Sequence, residues 1–201
     1  MTQQLIWNFA YSKPTEKPLN FAQDQKDTLK WEARFFWPHN EVICLNIIDP
    51  GLLDLNLYKK KQKQDDYYLI PKSNFNIKRR HERILYKPLL HQSSIANGFG
   101  RKIDLEQSED YPKDYNPEFL CGLLKQAMSA KIVHVTKESY TYKFDTEPRI
   151  KLELARLEVE HKIYYSACIE GKSQSLVESI SLALFGKQKS YDYVGFLNTV
   201  V

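Results

Sequence analysis

From Lys30 the chain alternates. Trp31, Ala33, Phe35 and Trp37 fall between Lys30, Glu32 and Arg34, a period of two that puts aromatic groups on one face of a strand and charges on the other. Residues 42–48 predict a second strand, ended by the turn residues Asp49-Pro50-Gly51. Three short strands are expected over 67–70, 75–80 and 83–90, with Arg80-His81-Glu82 as a turn and Pro88 ending the last. Asn97-Gly98-Phe99-Gly100 reads as a further turn and 101–105 as strand. Residues 5–11 fit an edge strand, and the Gln-, Lys- and Pro-rich remainder up to Thr28 fits a loop.

Helical spacing begins after Asn116, which suits an N-cap ahead of Pro117: Phe119, Leu120, Leu123, Leu124, Ala127 and Met128 then share one face. Three β runs follow, over 131–144, 149–160 and 163–170. In the second, apolar residues occupy Ile150, Leu152 and Leu154 and then slip to Ala155, Leu157 and Val159, a change of face that predicts a bulge or bend. Ser175 with Glu178 has the spacing of a capping box for a second helix, closed by Gly186. Many antiparallel strands with two helices inserted late predict an α+β or closed-barrel fold rather than alternating βαβ units.

The 201 residues, 42% of them hydrophobic, suit one domain, with 1–28 as an extension or edge strand. No apolar run reaches the ~18 residues that span a bilayer, and the first residues lack a secretory pattern. With three widely spaced cysteines (Cys44, Cys121, Cys168), a cytoplasmic protein with no membrane partner is expected. Net charge is only +4, yet residues 59–102 hold 12 Lys or Arg against 3 Asp or Glu, a local +9 that attracts a polyanion. Within it, Lys59, Lys60, Lys61 and Lys63 have no apolar partners and are expected to form a solvated loop.

The charged strand faces have two explanations: water over a one-sided sheet, or the polar interior of a barrel. The feature recurs at Asn76/Lys78/Arg80, Lys87, Lys151/Glu153 and Glu170. Converging strands of this kind would let basic groups clamp phosphate oxygens while carboxylates hold a divalent cation. The five histidines have no metal-ligand spacing, Cys168 in an alternating strand suits a small buried residue, and Gly98-x-Gly100 lacks the helix start of a phosphate loop.

The series KWEARF, DDYY, FNIKRRHERILYKPLL, GRKIDLEQ, RIKLELARLEVE, SACIEGKSQSLVESISLALFG and SYDYVGFL resembles, in its order along almost the whole chain, the CYTH superfamily of triphosphate tunnel metalloenzymes. The resemblance implies an antiparallel eight-stranded β-barrel (tunnel) with helices packed outside, which binds a triphosphate and hydrolyses it with Mg2+ or Mn2+. It gives Glu32, Arg34 and Lys87 catalytic places, Lys78, Arg80, Lys87 and Lys137 the phosphates, and Glu32, Glu153 and Glu170 the metal. The family's opening Glu-x-Glu-x-Lys falls on Lys30, Glu32 and Arg34, so the first acid is a lysine here. Its Arg-x-Arg falls on Asn76 and Lys78, with Arg80 nearby, its later Lys-x-Arg on Lys137 and Ser139, and its closing pair of acids on Cys168 and Glu170. Losing two acids, one of them to an ammonium, makes such a site less welcoming to a dication.

Two functions are expected in turn. The first is metal-dependent hydrolysis of tripolyphosphate, thiamine triphosphate or a nucleoside triphosphate; the alternative is a catalytically impaired tunnel that binds polyphosphate or an RNA 5′ triphosphate end. Were the charged faces solvated, an interaction domain using exposed Trp or Tyr would remain. Lys87 is the best-matched position, placed by the end of a strand. A charge-assisted phosphate contact is worth about 1.5–3 kcal/mol and an exposed charge under about 1. Lys87→Ala is therefore expected to weaken tripolyphosphate binding about tenfold or more, and Lys60→Ala less than about threefold, as read by calorimetry. Equal effects would mean that the basic segment attracts anions diffusely.

Overall fold

The strands, in chain order, are β1 (Gln3–Ile6), β2 (Phe9–Tyr11), β3 (Lys30–Pro38), β4 (Ile43–Leu45), β5 (Lys59–Leu69), β6 (Asn76–Arg80), β7 (Arg83–Lys87), β8 (Leu89–Gln92), β9 (Asn97–Phe99), β10 (Ile103–Asp104), β11 (Lys131–Lys143), β12 (Lys151–Val159) and β13 (Lys162–Gly171). The helices are α1 (Pro117–Met128), α2 (Gln174–Phe185) and α3 (Tyr193–Val200). The computed structural model describes residues 2–11, 21, 23–73 and 75–201; much of the expected N-terminal loop, residues 12–20 and 22, lies outside the described residues.

β1, β2 and β4 form a small sheet. Among the described residues the other ten strands form one antiparallel sheet in the order β10-β7-β6-β5-β11-β12-β13-β3-β9-β8. This sheet curls into a half-barrel. β7 stands six places from β3 in that order, yet the Lys87 ammonium at the end of β7 donates to Glu32 on β3 at 2.7 Å. The chain then passes through Pro88 from β7 to β8, at the other end of the sheet, so the two edges face each other. Ten strands stand where eight were expected because the stretch between Arg83 and Asp104 is cut into four short pieces.

One of those pieces was expected as a turn. Residues 97–99 instead form β9, which pairs with β3 through Lys30 opposite Phe99 and Glu32 opposite Asn97. Gly98 serves close approach here: a Cβ on it would stand 3.1 Å from both the Leu29 and Trp31 side chains. The turn reading took the glycine for a chain reversal when it marks crowding across a strand pair.

Apolar burial occurs on both sides of the large sheet. On the convex side, Phe35, Trp37, Leu152, Leu154 and Ile169 pack under Val177, Ile180 and Leu184 of α2, while Tyr68, Ile77, Ile84 and Tyr86 pack under Leu120 and Leu123 of α1. These two helices lie outside, as expected. A third helix, α3, lies on the concave side, where Tyr193, Val194, Phe196 and Leu197 pack against Tyr67, Val135, Ala155, Leu157 and Val159. This explains the slip of apolar residues in β12. No bulge is present there: the register from Lys151 to Val159 is continuous against both neighbours, and the apolar face changes because α2 covers one side of the strand and α3 the other.

α1 begins as expected, with the Asn116 side chain accepting from the Glu118 N–H and Pro117 in the first turn. α2 begins earlier than the capping box suggested. Ser173, not Ser175, caps it by accepting from the Leu176 N–H, while Ser175 donates to Asp24 and Glu178 accepts from Ser93.

Two hairpin turns place charged or imidazole residues in the left-handed region: His81 and Glu82 at φ 48° and 63°, Glu160 and His161 at 47° and 64°. That conformation costs an L-residue about 1–2 kcal/mol, more than the roughly 0.5–1 kcal/mol that glycine gives up in chain entropy. Asn-Gly suits both positions of such a turn. Glu160→Asn with His161→Gly is expected to stabilise the fold by about 1 kcal/mol, measured as a melting temperature higher by roughly 2–4 °C.

Candidate functional site

Side chains alternate along a strand, so an unbroken register aligns every second residue of neighbouring strands on one face. On the concave face this gathers Lys61, Lys63 and Asp65 of β5, Lys137 of β11, Lys151 and Glu153 of β12, Cys168 and Glu170 of β13, and Lys30, Glu32 and Arg34 of β3. Lys78 and Arg80 of β6 and Lys87 of β7 complete the wall. The cavity so formed has a volume of about 150 Å³ and, among the described residues, is lined by ten Lys or Arg against three Glu.

All eight site residues expected from the sequence (Glu32, Arg34, Lys78, Arg80, Lys87, Lys137, Glu153, Glu170) line this one cavity. Lys30, Glu32 and Arg34 turn toward it rather than to bulk water; their side chains are 40%, 13% and 10% exposed. Lys61, Lys63 and Lys102 also line it and were not expected. Residues 59–63 are not the expected loop: they are the first half of the eleven-residue β5, paired with β11 from Lys59 opposite Thr141. Their period-two run, Lys59, Lys61, Lys63, Asp65, Tyr67, was the available signal, masked by the absence of apolar residues on the other face. Lys60 points the other way and meets Glu138 at 2.5 Å.

Four carboxylates on this face are each shared between two cations. Asp65 accepts from Lys78 at 2.9 Å and from two nitrogens of Arg80 at 2.6 and 2.5 Å. Glu153 accepts from Lys137 at 2.8 Å and Arg34 at 3.2 Å. Glu32 stands 2.7 Å from Lys87 and 3.5 Å from Lys30, and Glu170 lies 2.6 Å from Lys30 and 3.9 Å from Lys151. Burial opposes ionisation of Glu32 and Glu153, but the ammonium and guanidinium groups around them win and hold both carboxyls well below their usual range.

The cations fare differently. Burial, reinforced by Arg80 and only partly offset by Asp65, pushes Lys78 down to about 7. Burial together with Lys137 and Arg80 pushes Lys63 down to about 8. Burial also lowers Lys87 despite its pairing with Glu32, and partial burial together with the like charges of Lys87, Lys30 and Arg80 lowers the more exposed Lys102. Asn76 adds a buried amide oxygen that has no hydrogen-bond partner among the described residues, at the cavity wall.

The arrangement fits a resident dication poorly. The three expected metal carboxylates are occupied by ammonium or guanidinium groups, and Lys30 stands between two of them. At Cys168, where the resemblance implies a further acid, burial holds the thiol protonated, a neutral sulfur with little attraction for Mg2+ or Mn2+. Among the described residues no group of three His, Cys, Asp or Glu side chains converges to hold a metal. What the geometry provides is a row of donors with surplus positive charge, the chemistry of phosphate recognition.

No model of a known protein family matches the chain, and no curated protein sequence does. Among solved structures, a Mimivirus capping enzyme triphosphatase is 13% identical with a TM-score of 0.40, covering 78% of this chain and 87% of its own. A proposed adenylate cyclase from Bacillus halodurans is 13% identical with a TM-score of 0.36, covering 73% of this chain and 84% of its own.

Lys78 and Lys63 would make the binding of an anion proton-linked. Both titrate below the ordinary lysine value of 10.5 in the free protein, and a bound polyanion would draw them back toward it. Above about pH 7 such binding would therefore take up protons, and affinity for the anion would fall as pH rises, by up to about tenfold per unit for each coupled proton. Calorimetry in buffers of different ionisation enthalpy is expected to show proton uptake that grows from pH 7 to pH 9 and shrinks in Lys78→Gln. Fold stability carries the opposite sign: these two groups bind fewer protons folded than unfolded, so their contribution rises between about pH 7 and 10.

Proposed function

We propose that the protein binds the phosphate chain of a triphosphate or polyphosphate compound inside the cavity of the half-barrel, with Lys78, Arg80, Lys87 and Lys137 as phosphate ligands and no resident metal ion. One observation carries the reading: among the described residues ten cations line the cavity against three carboxylates, with Asp65 behind Lys78 and Arg80 as a fourth, and each of the four is already held by lysine or arginine. The excess of fixed positive charge is in place before any ligand arrives, which is how a site for a multiply charged anion is made without a dication. The earlier resemblance of the sequence to triphosphate tunnel proteins points to the same ligand class.

Metal-dependent hydrolysis is the second reading, favoured by the pairing of Glu32 directly opposite Glu170 across β3 and β13. Glu32, Arg34 and Lys87 would be the groups nearest the reaction in that case. One titration separates the two. Tripolyphosphate is expected to bind equally well in chelator and in Mg2+, with no phosphate released in either. Binding that needs Mg2+ or Mn2+, or phosphate release that Glu32→Ala abolishes, would replace the first reading with the second. An absence of binding under both conditions would end both.

A further inference from the structure

The cavity has a floor. α3 lies across the concave face against residues of β5, β11 and β12, with Phe36 of β3 and Tyr164 of β13 packed on it as well. Its ring contacts are close: Phe196 stacks on Phe36 at 3.9 Å between centroids, and Tyr193 on Tyr67 at 4.8 Å. Tyr193 and Tyr67 are also lining residues, so the cavity ends on these two rings and Leu197 lies fully buried behind them. The segment leading into α3 is tied to the wall: the Tyr191 N–H donates to the Arg34 carbonyl at 2.8 Å, and the Arg34 N–H donates to Ser190 Oγ at 3.1 Å.

Exposure along the wall runs one way. On β3 the side chains open from Arg34 at 10% through Glu32 at 13% to Lys30 at 40%, and on β12 from Glu153 at 14% to Lys151 at 41%. Arg34 and Lys137, the most enclosed cations, stand at the floor, Arg34 lying 4.9 Å over the Tyr193 ring. Lys30 and Lys151 stand at the mouth. The concave face is a blind pocket with one basic rim, rather than a passage.

From this we infer that the site is selective for the free end of a phosphate chain: a terminal phosphoryl group seats at the Arg34/Lys137 floor and the rest of the molecule leaves through the Lys30/Lys151 mouth. A chain in a blind pocket must end there. A terminal phosphoryl group also carries up to two negative charges where an internal one carries one, which suits the most enclosed cations. The inference deepens the proposed function and rests on it. It names as ligands linear tripolyphosphate, nucleoside triphosphates and the ends of long polyphosphate, and excludes cyclic and doubly capped triphosphates.

Three probes titrated into the intact protein test it: linear tripolyphosphate, ATP, and diadenosine triphosphate, in which both ends of the same three-phosphate chain are capped. Tripolyphosphate and ATP are expected to bind within about tenfold of each other, and diadenosine triphosphate at least a hundredfold more weakly than ATP. Size-exclusion chromatography with light scattering on long linear polyphosphate is expected to show no more than two protein molecules per chain at any chain length. Capped triphosphate binding as well as ATP, or a protein count that grows with polymer length, overturns end capture while leaving phosphate binding intact. Failure of linear tripolyphosphate to bind overturns the proposed function itself, and end capture with it.

Discussion

The concave face depends on one constraint: it encloses more cations than anions and must still fold. Withdrawing an ammonium or guanidinium from water costs several kcal/mol, and two like charges about 4 Å apart repel by roughly 4 kcal/mol near a protein surface. The fold meets this by placing carboxylates between pairs of cations. Asp65 separates Lys78 from Arg80, Glu153 separates Lys137 from Arg34, and Glu32 separates Lys87 from Lys30. Aromatic faces assist, Phe99 lying 3.6 Å beneath Lys87 and Tyr67 5.2 Å from Lys78. The sharing is incomplete, and the depressed Lys63, Lys78, Lys87 and Lys102 record the surplus.

These pairs also close the molecule. The hydrogen-bonded order of the large sheet leaves its two edges without a shared ladder, and the Lys87–Glu32 contact ties β7 to β3 across that gap. The same acids therefore hold the half-barrel curled and keep the cations spaced. Their engagement in this work is also why they serve poorly as a metal donor set.

α3 makes the second contribution. Eight residues are too few for a helix to persist alone in water, so it forms by burying Tyr193, Val194, Phe196 and Leu197 against the sheet. The Asp192 side chain caps it by accepting from the Gly195 N–H at 2.7 Å. In filling one end of the concave face it divides each strand beneath it into an apolar stretch and a charged stretch. β12 shows the division most plainly, with Leu157 and Val159 under the helix and Glu153 and Lys151 beyond it.

Much of this was legible in local pattern. The alternation of β3, the helical spacing and cap of α1, and the three long strands after it follow from periods of two and 3.6, which a single element carries within itself. The charged residues of Glu32, Lys87 and Glu153 were legible for the same reason, since their spacing sets them on one face of a strand. Other features depended on distant partners. Lys61 and Lys63 looked like loop because nothing apolar marks their strand, and pairing with β11 orders them. The change of face in β12 looked like a bulge because α3, some 35 residues further on, supplies the second apolar cover. Gly98 looked like a turn because the crowding that selects it comes from Leu29, Trp31 and His91. Periodicity fixed which residues share a face of each element. Which face turns inward, which carboxylate each ammonium meets, and that the charged interior ends on Tyr67 and Tyr193 were decided by contacts between segments far apart in the chain, for which a local pattern holds no information.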